Sequence, residues 1–286
     1  GMSCRAEIIT QQEQRVAAIP VEAVIFEEDR AELRSEYFIF VNDDGMARKT
    51  KVEVGLSDDE YQELVSDIDN DVEVIVAPAS IYLDSFSNAS KVSISSQDVS
   101  ANNNGAFTGE FSAEMLYSIN LRYAIVGHSE RRINNNESNL YVQKCTSAAI
   151  KSDLIPIICV GETLKDRESG TALDFIEKQL IESVPSYFEN IFVAYEPIWS
   201  IGTGKIPSSS EIKEMHKHIK QVISSKFNNS IKVIYGGSVN PSNVSDILNV
   251  KEVDGVLIGG ASLNPKDFLA IYHSTVKHLN LSFSNN

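Results

Sequence analysis

Cysteine is scarce in this sequence, and it contains no long apolar run. Only Cys4, Cys145 and Cys159 occur among 286 residues, with no CxxC motif and no paired spacing. A sparse, odd set of cysteines is typical of a reducing compartment. No apolar run reaches the roughly eighteen residues of a membrane-spanning helix, and residues 1–15 contain no apolar signal core. We therefore predict a soluble, cytoplasmic protein with no membrane partner.

The chain has fewer basic than acidic residues. The chain has 25 Lys and Arg against 40 Asp and Glu, which gives a formal net charge of −15. A surface of this sign repels nucleic acids and anionic membranes, and we predict neither as a partner. The negative net charge does not exclude a small anionic substrate, because backbone N–H groups and helix N-termini can bind phosphate inside a cleft. His216 and His218 face different ways on a helix, and we predict no metal and no cofactor.

Short β-branched runs alternate with helix-like segments beyond residue 70. The runs lie at 72–78, 91–97, 122–127, 154–161, 190–197, 231–237 and 254–260. Alternation of this kind is typical of βαβ units in a parallel sheet that is buried on both faces. It leaves two α/β architectures open, a closed (β/α)₈ barrel and a doubly wound sheet. In both, functional residues lie at the carboxyl ends of the strands.

The first seventy residues follow a different pattern. Three extended stretches, with the turn sequence NDDG between two of them, predict a β meander. Only residues 57–70 resemble a helix, with Ser57 as the N-cap. We predict an atypical β-rich segment over residues 1–63 and a barrel domain over residues 64–286.

Two strand ends carry side chains that are suited to acid–base chemistry. In AIVGHSERR (124–132), His128 follows a strand and can donate a proton or a hydrogen bond to a substrate oxygen. In VAYEPIWSIGTGK (193–205), Glu196 ends a buried strand, where a carboxylate can act as a general base. The plainer alternatives are an ordinary loop histidine and a structural carboxylate.

Glycine pairs and a glycine-rich loop indicate a phosphate site. Gly202 and Gly204 flank Thr203 in a loop that can fold over a ligand. The stretches YGGSVNPSN (235–243) and LIGGASL (257–263) each follow a strand with Gly-Gly, so that their N–H groups can approach phosphate oxygens. Tight packing of a strand on a helix would explain one such pair. Two such pairs, on successive strands, favour a phosphate-binding site over tight packing.

Taken in this order, these stretches resemble the triosephosphate isomerase family over residues 72–279. The resemblance includes SSQDVSANNNGAFTGEFSAEML, CVGETLKDRESG and VKEVDGVLIGGASL. It implies a (β/α)₈ TIM barrel and a homodimer. The implied reaction interconverts dihydroxyacetone phosphate and D-glyceraldehyde 3-phosphate through an enediolate, in glycolysis and gluconeogenesis, on a small phosphorylated three-carbon substrate and with no cofactor.

The resemblance also implies roles for individual residues. Glu196 would be the base and His128 the electrophile. The family is a known example of an active site that tunes the pKa values of such a pair. The other implied roles are phosphate binding by Gly202, Ser238, Gly259 and Gly260, support by Glu130 and Cys159, a lid of Pro197, Ile198, Trp199, Thr203, Gly204 and Lys205, and a dimer loop with Thr108.

The first strand departs from the family pattern. The family has an Asn-aromatic-Lys-Met-Asn element there, and this sequence has none. The best placement puts the strand at 38–42, with Asn42 as a substrate-binding residue and Asp44 at the position of the lysine. An acidic side chain in place of the lysine would turn an attraction to the phosphate dianion, of roughly several kcal/mol, into a repulsion. The alternative prediction is a catalytically impaired or chimeric barrel that binds phosphate ligands or partners without efficient turnover.

Residues 17–61 show a second resemblance, to the β-rich part of periplasmic adaptor (membrane-fusion) proteins of efflux pumps. The stretches AAIPVEAVIFEEDR and YFIFVNDDGMARKTKVEVGLSDDEY carry it. Two origins stay open, a substituted segment in place of the first βα unit or a strongly diverged form of that unit. An adaptor or scaffold role would rest on this segment alone.

Overall fold

The computed structural model of this chain describes residues 72–87, 92–201 and 206–283, together with six strands between residues 18 and 64. The chain divides into two compact units. The first contains Gly1–Asn70 with Asn88–Val92, and the second contains Asp71–Ser87 with Ser93–Asn286. The predicted boundary between residues 63 and 64 stays a prediction.

The described strands of the first unit form two antiparallel sheets. They are β1 (Ala18–Pro20), β2 (Ile25–Asp29), β3 (Arg34–Asp43), β4 (Met46–Val52), β5 (Val54–Ser57) and β6 (Tyr61–Leu64). One sheet has the order β1-β6-β5 and the other the order β2-β3-β4. The pairing of β3 with β4 extends to Asp43 and Met46, on either side of the predicted turn. The meander that the sequence predicts is therefore present.

The placement of residues 38–42 as the first barrel strand is wrong. These residues lie in β3, which is hydrogen-bonded to β2 along one edge and to β4 along the other. With both edges occupied, β3 has none free for a parallel barrel strand. Asn42 pairs with Ala47 across the hairpin, so its assignment as a first-strand substrate residue is corrected as well. Asp44 lies outside the described residues.

The helix predicted at 57–70 is also wrong where the structure describes that segment. Ser57 is the last residue of β5, and Tyr61–Leu64 is β6, so Ser57 caps no helix. The pairing between these two strands gives each backbone a partner along the ladder. The sequence places Tyr61, Leu64, Val65 and Ile68 at helical spacing, but such a local pattern is a weaker signal than pairing between strands.

The second unit alternates strands with helices. The strands are β7 (Ile75–Val76), β8 (Ser93–Ser96), β9 (Tyr123–Val126), β10 (Ile155–Val160), β11 (Phe192–Tyr195) and β12 (Lys232–Tyr235). The helices are α1 (Leu83–Ser87), α2 (Ala113–Ser118), α3 (Ser129–Asn134), α4 (Asn139–Lys151), α5 (Leu164–Glu168), α6 (Ala172–Ser183), α7 (Ser209–Phe227), α8 (Val244–Leu248) and α9 (Pro265–Phe283). Short 3₁₀ turns lie at Ser80–Tyr82, Ile198–Ser200 and Gly260–Leu263.

The strands of this unit form one parallel sheet in chain order, from β7 to β12. Tyr235 continues the sheet through a parallel bridge to Val256. Each crossover therefore moves one place in the same direction, whereas a doubly wound sheet reverses its direction. The sheet curls into a half-barrel, and the fold is the α/β TIM barrel that the sequence predicts.

Alternation along the strands divides the core into two layers. Tyr123, Ile125, Ile157, Cys159 and Ala194 form a cluster on the inner face of the curled sheet. The residues between them, such as Ala124, Val126, Ile158 and Val193, pack in the larger cluster together with the helices. Successive side chains point to opposite faces of the sheet, with a period of two. Because both faces are buried, residues on both are apolar and each strand is a continuous apolar run in the sequence.

Side-chain caps fix where several helices begin. Ser138 accepts from the backbone N–H of Tyr141 at the start of α4. Ser208 and Glu211 form a capping box at the start of α7, which ends at Asn228 in the left-handed conformation. These caps satisfy backbone groups that helix ends leave without partners. In the described part of the chain, no helix is long and apolar enough to cross a membrane.

His216 is buried in the core of the second unit. The side chain is 0% exposed, and its ring lies 5.8 Å from the ring of Tyr195 and 6.4 Å from that of Tyr235. Its Nδ1 is 3.3 Å from the carbonyl oxygen of Glu252. Burial lowers the pKa of His216 to about 4. The imidazole is therefore neutral over the physiological pH range.

This burial predicts a pH-dependent loss of stability. The unfolded chain binds a proton at His216 near the ordinary pKa of about 6.5, whereas the folded chain binds it only near 4. Stability is therefore complete above pH 6.5 and falls as the pH drops toward 4, by about 3 kcal/mol from this residue. Urea unfolding of the natural chain and of His216→Phe across this range measures the difference.

The comparison with the variant isolates this residue. Burial raises the pKa of Asp98 to about 6, which gives the opposite pH dependence, but Asp98 is present in both proteins. Unfolding free energies that change in parallel for the two proteins would contradict the assignment to His216.

Candidate active site

The carboxyl ends of neighbouring parallel strands bring the predicted site residues to one edge of the sheet. His128 follows β9, Glu196 follows β11, and Ser238 follows β12. Gly259 and Gly260 follow the Val256 bridge, which is the next strand position. Functional sites of parallel barrels lie at this edge.

His128 and Glu196 are in direct contact. Nε2 of His128 lies 2.9 Å from Oε1 of Glu196. The other carboxylate oxygen, Oε2, accepts a hydrogen bond of 2.9 Å from the backbone N–H of Ser129. The Glu196 side chain is 1% exposed and that of His128 is 30% exposed. A nearly dry carboxylate therefore faces an imidazole that solvent or a ligand can reach.

The start of α3 determines which nitrogen of His128 carries the proton. The backbone N–H of Glu130 donates to Nδ1 at 3.3 Å, and His128 is the N-cap of α3. Because Nδ1 accepts, Nε2 carries the hydrogen, and it is this nitrogen that lies 2.9 Å from Oε1 of Glu196. Burial lowers the pKa of His128, but the hydrogen bond and charge of Glu196, with the charge of Glu130, raise it above the ordinary value overall. Glu130 therefore acts on His128 through its backbone N–H and, although its side chain is exposed, through its charge.

Two glycines permit this backbone arrangement. Gly127 has a φ of +65°, and a Cβ there would lie 2.7 Å from the side chain of Val142. A Cβ at Gly161 would lie 1.9 Å from the carbonyl oxygen of Glu196. The turn before His128 and the close approach of the chain after β10 to Glu196 therefore both require glycine.

Cys159 lies on the inner face of the sheet and is fully buried. Burial raises the pKa of its thiol well above the ordinary value, and the charge and a hydrogen bond of Glu196 add to this shift. The thiol is therefore protonated next to the carboxylate. The structure brings Cys159 to the site, as the sequence predicts.

The start of the predicted lid is attached to the strand ends. Pro197 is buried, and Ile198–Ser200 form a 3₁₀ turn. The Trp199 indole N–H donates to Oε1 of Glu162 at 2.8 Å. The Ser238 hydroxyl donates to the carbonyl of Ser200 at 3.1 Å. The remaining predicted lid and phosphate residues of this loop, Gly202, Thr203, Gly204 and Lys205, lie outside the described residues.

The sequence reasoning missed Glu162, which connects the lid to the sheet. This carboxylate is 0% exposed, and its Oε1 accepts from Tyr195 at 3.0 Å and from Nε of Arg167 at 3.1 Å, as well as from Trp199. A signal was present, because Glu162 follows a buried strand just as Glu196 does. Two of its partners, Tyr195 and Trp199, lie 33 and 37 residues further along the chain, so the sequence does not reveal the network.

The two Gly-Gly segments present backbone donors. Among the described residues, no hydrogen bond is donated by the N–H groups of Ser238, Gly259 or Gly260. Gly259 and Gly260 are exposed, and space is open around both. Free N–H groups at strand ends of neighbouring strands are suited to bind an anion.

The surroundings of the pair are poor in cations. Within residues 72–87, 92–201 and 206–278, no lysine hydrogen-bonds or ion-pairs with Glu196 or His128. In the same part of the chain, no group of three or more His, Cys, Asp or Glu could hold a metal ion.

Comparisons with known proteins agree with this geometry. A family model described as "Triosephosphate isomerase" matches residues 47–275. The chain is 46% identical over 191 residues to triosephosphate isomerase of Hyphomonas neptunium, covering 65% of this chain and 77% of that protein. It is 45% identical over 190 residues to triosephosphate isomerase of Rhizobium meliloti, covering 65% and 74%.

A solved structure is also similar. The crystal structure of triosephosphate isomerase from Bartonella henselae has a TM-score of 0.66 and 36% sequence identity, and the match covers 71% of this chain and 86% of that chain. Nothing in these comparisons supports the resemblance of residues 17–61 to periplasmic adaptor proteins.

Proposed function

This chain belongs to the triosephosphate isomerase family, and from that premise we propose that Glu196 and His128 carry out its proton transfers. Membership makes the chain an aldose–ketose isomerase whose substrate is a triose phosphate. The observation that carries the proposal is the 2.9 Å contact between Nε2 of His128 and Oε1 of Glu196. Two groups this close can both reach one three-carbon substrate.

These two groups carry out the proton transfers of the proposed reaction. The Glu196 carboxylate removes the proton from the carbon beside the carbonyl, while Nε2–H of His128 hydrogen-bonds to the carbonyl oxygen and stabilises the negative charge that develops there. His128 then transfers a proton between the two oxygens, from the neighbouring hydroxyl to the former carbonyl oxygen, and Glu196 returns its proton to the former carbonyl carbon. Because the two side chains are in contact, Glu196 must turn away from His128 to admit the substrate.

Phosphate binding and closure complete the proposal. The free N–H groups of Ser238, Gly259 and Gly260 would hold the phosphate. The loop 197–205 would close over the ligand, with Gly202, Thr203, Gly204 and Lys205 in its distal part. Closure would exclude water from the enediolate and so limit the loss of phosphate. Cys159 would support Glu196 from the inner face of the sheet, and Glu130 would support His128 through its backbone N–H.

A specific observation favours reduced turnover as the second candidate. The first-strand lysine of the family is missing from the sequence, and no described lysine reaches the pair. The negative charge of the enediolate and its phosphate would then lack a counter-charge. An isomerase assay with glyceraldehyde 3-phosphate, run on the chain and on Glu196→Gln, tests the proposed function. A folded chain with no conversion above buffer would favour the impaired barrel.

We further propose that the chain forms a homodimer through the loop that contains Thr108. Ser100 and Asn102 both donate to the carboxylate of Glu110. This bracing holds a loop whose tip is exposed, with Phe107 45% and Phe111 49% exposed. Aromatic side chains that project from a braced loop are typical of interface anchors. A glycolytic role, which the family implies, would place the dimer in the cytoplasm, and cell fractionation tests that location.

The dimer proposal predicts the effect of one charged substitution. Phe107→Lys is expected to weaken self-association by at least about 30-fold, because a buried anchor contributes roughly 2 kcal/mol or more. Sedimentation over a range of concentrations measures the change. Tyr187→Lys, at an aromatic residue that is 72% exposed elsewhere, is the matched control. A natural chain that sediments as a monomer at all concentrations would contradict the proposal.

A further inference from the structure

Arg132 lies beside the site, and among the described residues it forms no ion pair with a carboxylate. It belongs to α3, four residues after His128. Its Nε donates to the carbonyl of Gly127 at 2.7 Å, and its Nη2 donates to the carbonyl of Cys159 at 3.1 Å. One guanidinium therefore bridges the carboxyl ends of β9 and β10.

Two helices fix the orientation of this guanidinium. Nη1 donates to Oδ1 of Asn139 at 2.6 Å, at the start of α4. Nη2 is also 3.3 Å from the hydroxyl of Ser183, at the end of α6. Asn139 in turn donates to Glu182 at 2.8 Å. The planar fork of arginine can make these bonds together, whereas the single ammonium of lysine cannot.

Both carbonyls that Arg132 binds are next to the backbone of the reacting pair. Gly127 directly precedes His128. Cys159 directly precedes Val160, whose carbonyl accepts a hydrogen bond of 2.8 Å from the backbone N–H of Glu196. A path of hydrogen bonds and two peptide links therefore runs from His128 through Arg132 to Glu196.

We propose that Arg132 is a positioning residue that sets the distance between His128 and Glu196. The proposal rests on the proposed function of that pair. Arg132 acts through the carbonyls of Gly127 and Cys159 and does not touch the substrate. Displacement of a reacting group by about 1 Å can lower a rate about 100-fold, so a positioning residue can have a large effect without taking part in the reaction.

A neighbouring cavity offers a way to test this proposal. A cavity of about 710 Å³ is lined by Arg132, Asn139, Gln143 and Gln179, among others. Truncation of Arg132 would join the space of its side chain to this cavity. A guanidinium ion could then enter and restore the bonds to the two carbonyls.

The experiment measures kcat and KM of Arg132→Ala and Arg132→Lys. We expect kcat to fall about 100-fold in both variants, with KM changed by less than about threefold. Added guanidinium at millimolar concentration should raise the kcat of Arg132→Ala at least tenfold, whereas methylammonium at equal ionic strength should not. Arg122→Ala, which removes an exposed arginine, is the matched control.

A second measurement does not depend on turnover. Contact with Glu196 helps to raise the pKa of His128, so NMR titration of the imidazole in Arg132→Lys should show a pKa closer to the ordinary histidine value. Full activity of Arg132→Lys, or an unchanged titration of His128, would overturn the proposal. If Glu196→Gln retains full activity, the proposed function fails instead, whatever the Arg132 variants show.

Discussion

Glu196→Gln is expected to lower kcat by about 10²–10⁴-fold, the contribution that general acid–base catalysis makes. The amide has nearly the shape of the carboxylate but cannot accept the substrate proton. Its site is 1% exposed, so water cannot easily take over. The NH₂ group of glutamine would also face one of two donors, Nε2–H of His128 or the N–H of Ser129.

The assay follows glyceraldehyde 3-phosphate under saturating conditions, and unfolding in urea confirms that the variant is folded. Glu189→Gln is the matched control, because it makes the same chemical change at an exposed residue that hydrogen-bonds only to Tyr187 among the described residues. We expect its kcat to stay within about twofold of the natural value. A Glu196→Gln rate within tenfold of the natural rate would show that another group is the base.

Supplying the first βα unit of the family is expected to raise kcat/KM by about 10²–10³-fold, the effect of one well-placed electrostatic group. The natural chain lacks the lysine of that unit, and no described lysine reaches the pair. A cation beside the phosphate and the enediolate would stabilise the charge of both. The rate of the natural chain should correspondingly lie well below the diffusional ceiling of about 10⁸–10⁹ M⁻¹s⁻¹.

The structure determines how this exchange must be made. Replacing residues 36–56 alone would cut through β3, which is paired on both edges, and leave β2 without its neighbour. The exchange should therefore remove β1 to β6 as a whole. A second version of the same graft, with its lysine changed to aspartate, is the matched control. Equal rates for both grafts would show that the cation is not the limiting feature.

Much of the second unit could be predicted from the sequence because local signals there agree with the fold. Apolar runs buried on both faces, serine caps such as Ser138 and Ser208, and glycines such as Gly127 each act over a few residues. The order of the strands along the sheet equals their order in the chain. Residues that follow the carboxyl ends of these parallel strands, including His128 and Glu196, therefore lie at one edge of the sheet.

The first unit shows where sequence reasoning failed. Residues 38–42 resemble a barrel strand in composition, yet β3 pairs antiparallel with strands on both sides. An extended apolar run carries no information about which partner it selects, because both kinds of ladder bury similar side chains. The choice between a barrel strand and a meander strand depends on contacts between segments.

By itself the sequence determined the family and the alternation of strands with helices, and it predicted His128 and Glu196 as the acid–base pair, because these follow from motifs within single strand–loop segments. Only the tertiary structure decided that Nε2 of His128 faces Glu196, that Glu162 holds Trp199, and that Arg132 bridges two strand ends. Each of these contacts joins elements that are distant in the chain. Their geometry is fixed by the packing of strands and helices, which no short segment encodes.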